Sequence, residues 1–327
     1  MKKFILISIL SMFITLPCSA KTNYHIEVVQ TGNTGVYDCA YEGVMDGLAR
    51  AGLVKGYNLD VGRTVIDSGP GTNPLGRFIH YLNLNKTASC IADKKPDLVI
   101  TIGSHSTTCL KDRFIEKGIP VVFTNISSPE VPGMRSEGST GVSIDTDTNM
   151  IMDAALLAFP EIKTVGIIHS STDYNSEYIS KTGQQLSKLG LRVIIKQVDM
   201  NEKITSSARQ LMAQGVDAFF IPVDPYYKNP NNGAGKDLIE LSFAKKIPCI
   251  SSGFGNIKGS LIYISPNFDE MGDLTAGHII KILKEGMDPD ELPITRLADV
   301  NIVVNANITN KLGSHLFPDT NNLISIR

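Results

Sequence analysis

The stretch that decides the fold is Lys95-Pro-Asp-Leu-Val-Ile-Thr-Ile-Gly-Ser-His-Ser-Thr-Thr108. Pro96 turns the chain into the short, largely apolar and β-branched run Leu98–Ile102, which indicates a strand buried on both faces. A glycine and several hydroxyl residues follow at once, and such residues are favoured where a helix begins. The stretch therefore predicts one strand–loop–helix unit of a parallel α/β sheet.

The same alternation extends from this unit in both directions. The expected strands of the first half lie at 26–30, 59–67, 98–102 and 121–124, with helices at 41–51 and up to residue 95. In the second half we expect strands at 164–169, 192–198, 218–222 and 247–251, with helices at 150–159, 178–189, 206–214 and 238–246. Because no low-complexity linker separates the halves, the pattern predicts an α/β protein with two doubly wound parallel-sheet lobes that face each other.

Two further elements come after both predicted sheets, a helix at 275–286 and a strand at 300–304. They predict that the chain crosses between the lobes more than once, which makes a multi-crossover hinge. We expect an N-terminal lobe of residues 21–145 plus about 270–290, and a C-terminal lobe of 146–269 plus about 291–327.

The first twenty residues have the pattern of a cleavable signal peptide. Lys2 and Lys3 precede the apolar run Phe4–Leu16, and small residues follow at Cys18-Ser-Ala20. The run is shorter than the ~20 residues of a membrane-spanning helix. We therefore expect a secreted, periplasmic protein. An uncleaved anchor and a lipid anchor on Cys18 are the alternatives, and the residues before Cys18 are not the small ones that lipid attachment favours.

Charge and motifs exclude several classes of function. The net charge is −2, with no basic cluster of the kind that binds nucleic acid. The glycine-rich run 69–76 lacks the spacing of a dinucleotide site, and Asp237 stands where a phosphate loop has Ser or Thr. No G-x-S-x-G or H-E-x-x-H motif and no metal-ligand spacing occurs. We expect neither an enzyme nor a bound metal or cofactor.

Four cysteines remain after removal of the signal peptide: Cys39, Cys90, Cys109 and Cys249. In an oxidising compartment they allow one or two disulfides. Cys249 lies in an apolar run that predicts a buried thiol. Cys39 and Cys109 both fall in first helical turns, which makes them our candidate pair.

Polar residues collect at the carboxyl ends of the predicted strands, where open α/β sheets bind their ligands. Hydroxyl groups beside free helix N–H groups suit a carboxylate, Asp224 suits an ammonium, and aromatic rings suit an apolar or aromatic side chain. Helix capping explains any single such loop equally simply, and lobe packing explains Tyr226 as well as ligand contact does. Six loops together favour binding of an amino-acid-like solute. The candidate binding residues are Thr31, Tyr37, Ser104, His105, Ser106, Thr107, Asn125, Ser127, Tyr174, Ser176, Asp224, Tyr226, Ser252 and Phe254.

At these residues the chain resembles the ABC-transporter substrate-binding family that includes tryptophan- and tyrosine-type proteins of the type I periplasmic binding fold. The resemblance covers nearly all of the mature chain. It rests on runs that are weak singly and specific in their order, at residues 41–48, 95–100, 119–123, 128–129, 140–143, 164–168, 175–176, 215–218, 222–224, 246–248, 277–286 and 305–312.

The resemblance implies a monomer that delivers a captured solute to an ABC permease and its ATPase. Carried over by position, the hydroxyls of residues 104, 106 and 107 would hold the solute carboxylate, Ser176 would bind from the second lobe, and Asp224 would take the amino group. His105, the aromatic pair after Asp224 and the insert 228–235 depart from the family pattern, which puts the solute's identity in doubt. A sensor that docks on a membrane receptor and a periplasmic enzyme are the alternative functions.

Overall fold

The computed structural model describes residues 23–32, 35–67, 74–126, 137–144, 148–170, 173–222, 224–228, 233–254, 259–297, 300–313 and 323–326. The expected signal peptide lies outside the described residues. The strands are β1 (Tyr24–Thr31), β2 (Leu59–Ile66), β3 (Leu98–Ile102), β4 (Val121–Ile126), β5 (Ser139–Ile144), β6 (Thr164–Ser170), β7 (Arg192–Val198), β8 (Ala218–Ile221), β9 (Cys249–Phe254), β10 (Ile262–Pro266), β11 (Thr295–Leu297), β12 (Val300–Asn305) and β13 (Leu323–Ile326). The helices are α1 (Gly35–Arg50), α2 (Pro74–Ala92), α3 (Ser104–Ile115), α4 (Thr148–Ala158), α5 (Asp173–Lys188), α6 (Ile204–Ala213), α7 (Ala234–Ala244), α8 (Phe268–Leu283) and α9 (Ala306–Leu312).

The strands form two sheets, which confirms the predicted two-lobed α/β fold. Their orders are β11-β5-β4-β3-β1-β2 and β13-β12-β10-β9-β8-β6-β7. The ladders are parallel except at one edge of the second sheet, where β12 runs antiparallel to β10 and to β13. In each sheet the strand order reverses once, between β1 and β3 and between β6 and β8. Ligands of open α/β sheets bind at such switch points.

The strand that anchors the sequence prediction is buried along its whole length. Successive side chains of a strand point to opposite faces of its sheet. Ile100 accordingly packs in a core with α1 and α8, whereas Val99 packs in a core with α2 and α3. Helices therefore cover both faces of the first sheet.

The chain changes sheets three times. It leaves the first sheet after β5, returns after β10 through α8, and leaves again between β11 and β12. Because β11 pairs with β5, Thr295–Leu297 belongs to the first sheet, and the division of the chain into lobes near residue 290 stays a prediction.

The four cysteines in the described part of the chain, Cys39, Cys90, Cys109 and Cys249, are free. The expected pairing of Cys39 with Cys109 is wrong, because Cys39 is exposed on α1 and the Cys109 sulfur on α3 contacts a histidine ring instead. Cys249 is buried in β9 as predicted, and burial raises the pKa of its thiol to about 12.

Candidate functional site

At the first switch point a hydrogen bond joins the end of β1 to the helix that follows β3. The backbone N–H of Ser106, in the first turn of α3, donates to Thr31 Oγ1 at 2.9 Å. Gly103 links β3 to α3 with a φ of 94°, a conformation that favours glycine. A Cβ atom on Gly103 would lie 2.8 Å from Tyr37 Cε1, so the Tyr37 ring packs against the same loop. The fold thus brings together three predicted site residues, Thr31, Tyr37 and Ser106.

The N-cap residue of α3 is Gly103, which has no side chain, so the Ser106 N–H of the first turn is paired with Thr31 Oγ1 instead. Ser106 Oγ donates to the carbonyls of Ile102 and Gly103, at 2.8 and 3.0 Å, and Thr107 Oγ1 donates to Gly103 at 2.9 Å. Both hydroxyl hydrogens are therefore used within the loop. An anion bound here would be held by the remaining first-turn N–H groups and the helix dipole.

His105, half-buried in the first turn of α3, contacts His80 of α2. Their Nε2 atoms are 3.0 Å apart, so one imidazole donates to the other. Cys109 Sγ lies 3.6 Å from His105 Nδ1. Burial, followed by the proximity of His80, lowers the pKa of His105. The sequence did not indicate His80 as a neighbour of the site, because no sequence pattern connects a residue within a helix to a residue that follows a distant strand.

Asn125 lies at the end of β4 in a left-handed backbone conformation, with a φ of 57°. Its side chain is buried, and neither Oδ1 nor Nδ2 has a hydrogen-bond partner among the described residues. The N–H of Gly103, the residue between β3 and α3, donates to the carbonyl of Thr124 at 3.0 Å. Asn125 is the next residue after Thr124, so it lies beside the start of α3. Ser127, also predicted as a ligand, lies outside the described residues.

At the second switch point a buried carboxylate joins the ends of β6 and β8. Asp224 is 4% exposed and accepts three hydrogen bonds. They come from the Ser170 N–H at 2.6 Å, the Ser170 hydroxyl at 2.8 Å and the Tyr226 N–H at 2.9 Å. A carboxylate has about four acceptor positions, so one remains for a further donor. Ser170 was absent from the predicted site, although its position at the end of a strand was the available signal.

Both switch points therefore carry buried polar contacts, and comparison with known proteins identifies the fold's family. A family model described as ABC transporter substrate binding protein matches residues 25–319. The chain belongs to this family. The resemblance found in the sequence is thereby confirmed for this substrate-binding protein.

Relatives of the binding protein include amino-acid binders. A tyrosine-binding protein of Clostridioides difficile (strain R20291) is 23% identical over 227 residues, which are 66% of this chain and 62% of that protein. A solved substrate-binding protein with adhesive properties from Clostridium difficile, in its ligand-free, open form, aligns with a TM-score of 0.72 and 21% identity over 91% of this chain and 97% of that one. An ABC domain in complex with L-Trp from Streptococcus pneumonia aligns with a TM-score of 0.68 and 22% identity, over 88% and 95%. At these identities the solved structures show the common fold.

Tyr226, expected at the rim of the site, is instead fully buried in the second lobe of the binding protein. Its hydroxyl donates to the carbonyl of Glu202 at 2.8 Å, and its ring lies edge-on to that of Tyr227. Burial, and then the nearby Glu202 and Asp224, raise the pKa of Tyr226 to about 12. The ring packs in the core of the second lobe, while the backbone N–H of the same residue donates to Asp224.

Of the other second-lobe candidates, the structure describes the side chain of Ser252 and only the backbone positions of the remaining three. Ser252 is buried in β9, and its hydroxyl donates to the carbonyl of Ile221 at 3.2 Å. Tyr174 and Ser176 lie in the first turn of α5, and Phe254 ends β9. The side chains of these three fall outside the described part of the structure.

The described part of the chain has neither a metal-binding cluster nor a membrane-spanning helix. There, no group of three or more His, Cys, Asp or Glu residues is arranged to hold a metal ion. Across the same described ranges, no helix has both the length and the apolar character to cross a bilayer.

Proposed function

We propose that this protein is the extracytoplasmic solute-binding subunit of an ABC importer, and that its solute is an amino acid with an apolar or aromatic side chain. Membership of the family supports the role. The tyrosine-binding relative and the L-Trp complex support the class of solute.

One observation carries the proposed solute class: the two switch points have complementary charge preferences. The N-terminus of α3, whose N-cap residue Gly103 has no side chain, favours a carboxylate, whereas the buried carboxylate of Asp224 keeps one acceptor position that suits an ammonium. An α-amino acid carries both groups on one carbon. Tyr37, Tyr174 and Phe254 are the proposed contacts of its side chain, with Ser104, His105 and Ser176 as polar contacts.

Lobe closure is the proposed mechanism of capture. Three passages of the chain between the sheets form a hinge, and a solute that contacts both lobes stabilises the closed state relative to the open one. The periplasmic monomer would then present the closed form to the permease, whose ATPase drives release and import. No chemical change of the solute is proposed.

A thermal-shift screen over the amino acids and related solutes tests the proposal. A solute at ~100 times its dissociation constant adds ~2.7 kcal/mol to the free energy of unfolding. A dye or calorimetric readout is needed, because the chain contains no tryptophan. We expect stabilisation by one or more aromatic or large apolar amino acids. Stabilisation only by solutes that lack both a carboxylate and an amine would contradict the proposed class.

A further inference from the structure

We infer that Asn125 is a specificity-determining residue, whose side-chain amide pairs with a solute group that both donates and accepts a hydrogen bond. The inference rests on the proposed function, because it takes the carboxyl ends of the first-lobe strands as the solute site. The backbone of Asn125, its unpaired amide and its position beside α3 are separate observations that support it.

The backbone at Asn125 is held in an uncommon conformation. Its φ of 57° lies in the left-handed region, and the register of β4 against β5 shifts between Phe123 and Ile126. Asparagine tolerates this region better than most residues, but the conformation persists only where the surroundings impose it. The neighbouring residue Thr124 supplies that constraint through two hydrogen bonds. Its carbonyl accepts from the Gly103 N–H, and its hydroxyl oxygen accepts from the Thr275 hydroxyl at 3.1 Å.

The side-chain amide of Asn125 is buried but makes no hydrogen bond to the described residues. The residue is 3% exposed, yet both polar side-chain atoms lack a partner within the described ranges. A second such group lies close by in the ladder, since Ser143 Oγ of β5 is also buried and unpartnered there, and Ser143 is the register partner of Ile126. Native proteins pair nearly all buried polar groups, and exceptions call for a function. Two exceptions on neighbouring strands, one of them next to the residue that accepts from Gly103 at the start of α3, indicate a subsite that a solute completes.

The chemistry of an amide restricts what can complete it. Asn125 offers donors at Nδ2 and an acceptor at Oδ1, and it carries no charge. Its complement is a solute group with a donor and an acceptor within about 3 Å of each other. Tyrosine has two such groups, its phenolic hydroxyl and its ammonium next to a carboxylate oxygen, whereas tryptophan and phenylalanine have only the second. A solute that lacks the paired group would leave the buried amide unsatisfied and would be rejected.

The test replaces Asn125 by glycine, which adopts the left-handed conformation freely and removes the amide. Lys246→Gly is the matched control, because Lys246 has the same φ of 57° but follows α7, away from the site. Binding is measured by calorimetry with L-tyrosine, L-tryptophan, L-phenylalanine and 3-(4-hydroxyphenyl)propionate. We expect Asn125→Gly to weaken the tightest of these complexes roughly tenfold or more. The melting temperature of the solute-free variant should be no lower than that of Lys246→Gly.

The ratios of affinity between pairs of solutes identify the solute group to which the Asn125 amide binds. If Asn125 reads the hydroxyl, the preference for L-tyrosine over L-phenylalanine shrinks in Asn125→Gly. If it reads the ammonium end, the preference for L-tyrosine over its deaminated analogue shrinks. Unchanged affinity, unchanged ratios, or weaker binding together with a lower solute-free melting temperature would each overturn the inference. If the wild-type protein binds none of the amino acids, the proposed function fails as well; if it binds one and Asn125→Gly binds it equally, the inference alone fails.

Discussion

Asp224 has two tasks in this account, one structural and one in binding. Its carboxylate fixes the end of β6 to the loop after β8 through Ser170 and Tyr226, and it is the proposed acceptor of the solute ammonium. The two tasks use different lone pairs of the same group, so a substitution should affect both folding and affinity.

Asp224→Asn keeps the size of the side chain and removes its charge. Its NH₂ group would face donors in place of an acceptor, so we expect the free energy of unfolding to fall by about 1–3 kcal/mol. Affinity for an amino acid should fall by about 1.5–3 kcal/mol, since a hydrogen bond to a charged group is lost. Urea denaturation and calorimetric titration measure the two effects. An equal loss of affinity for the deaminated analogue would show that Asp224 does not contact the ammonium.

His105 should make stability depend on pH. Its pKa is lowered in the folded state by burial and by His80, so the unfolded chain binds more protons below its ordinary pKa of about 6.5. The contribution is complete above that value and is lost as the pH falls below it. Denaturation between pH values of about 7.5 and 5.5 should therefore show a smaller loss of stability in His105→Gln than in the wild type.

His278 provides the control for this pH dependence. Burial, and then Lys281, lower the pKa of His278 in the same direction, but His278 lies on α8 with its Nε2 2.9 Å from Thr295 Oγ1. The variants His105→Gln and His278→Gln should each remove part of the acid destabilisation, and the double variant should remove both parts. Identical pH slopes in the wild type and His105→Gln would contradict the assignment.

The sequence indicated candidate polar residues for the site but not their hydrogen bonds. Hydroxyl residues at a predicted helix start indicated a binding loop at the beginning of α3. In the structure the hydroxyls of Ser106 and Thr107 donate to nearby backbone carbonyls. Tyr226, after a predicted strand, suited either an aromatic rim or lobe packing, and the structure places it in the core. The turn that holds Tyr226 is built around Asp224, which accepts from the Tyr226 N–H and from Ser170 at the end of β6. Because β6 lies more than fifty residues earlier in the chain, the local sequence does not show where the Tyr226 side chain points.

At the scale of elements, the contact between α1 and α8 ties a crossing segment to the first lobe. The helices meet at glycines: a Cβ atom on Gly47 would lie 2.5 Å from the carbonyl oxygen of Gly272. Gly277, on the same α8, has no such neighbour within 4 Å. The two helices approach this closely because side chains are absent at the contact.

Alanine substitution at Gly47 should destabilise the protein by about 1–3 kcal/mol, because the added methyl overlaps a backbone carbonyl. Gly277→Ala should instead stabilise it by about 0.5–1 kcal/mol, since alanine favours a helix interior and space is open. Urea unfolding of both variants against the wild type checks the contrast. Equal effects of the two substitutions would mean that the glycine contact does not control the approach of α1 to α8.

Elements were predictable where their apolar pattern was continuous. Leu98–Ile102 and Arg192–Val198 have the bounds expected from the sequence. Ser139–Ile144 was not predicted as a strand, because its Ser, Thr and Gly residues carry little apolar signal and it is buried by pairing with β4 and β11. The α8 helix begins seven residues before the expected start of 275, where Asn267 caps it by accepting from the Glu270 N–H at 3.3 Å.

At the scale of the whole molecule, the two sheets repeat one organisation. Each places its second strand outside the first and reverses order before the third, and each joins the two strand ends at its switch point through a polar contact. The repeated strand rhythm made the two lobes predictable. The membership of β11 was not, because three residues carry too little pattern to assign a strand to either sheet.

The central claim is that an amino acid is recognised through both its carboxylate and its ammonium. Its most direct test is calorimetric titration of the purified protein with L-tyrosine, L-tryptophan and L-phenylalanine, each compared with its deaminated counterpart. We expect saturable, one-to-one binding of at least one of the three, weakened roughly tenfold or more when the ammonium is absent. Binding that is indifferent to the ammonium, or no binding of any amino acid, would contradict it.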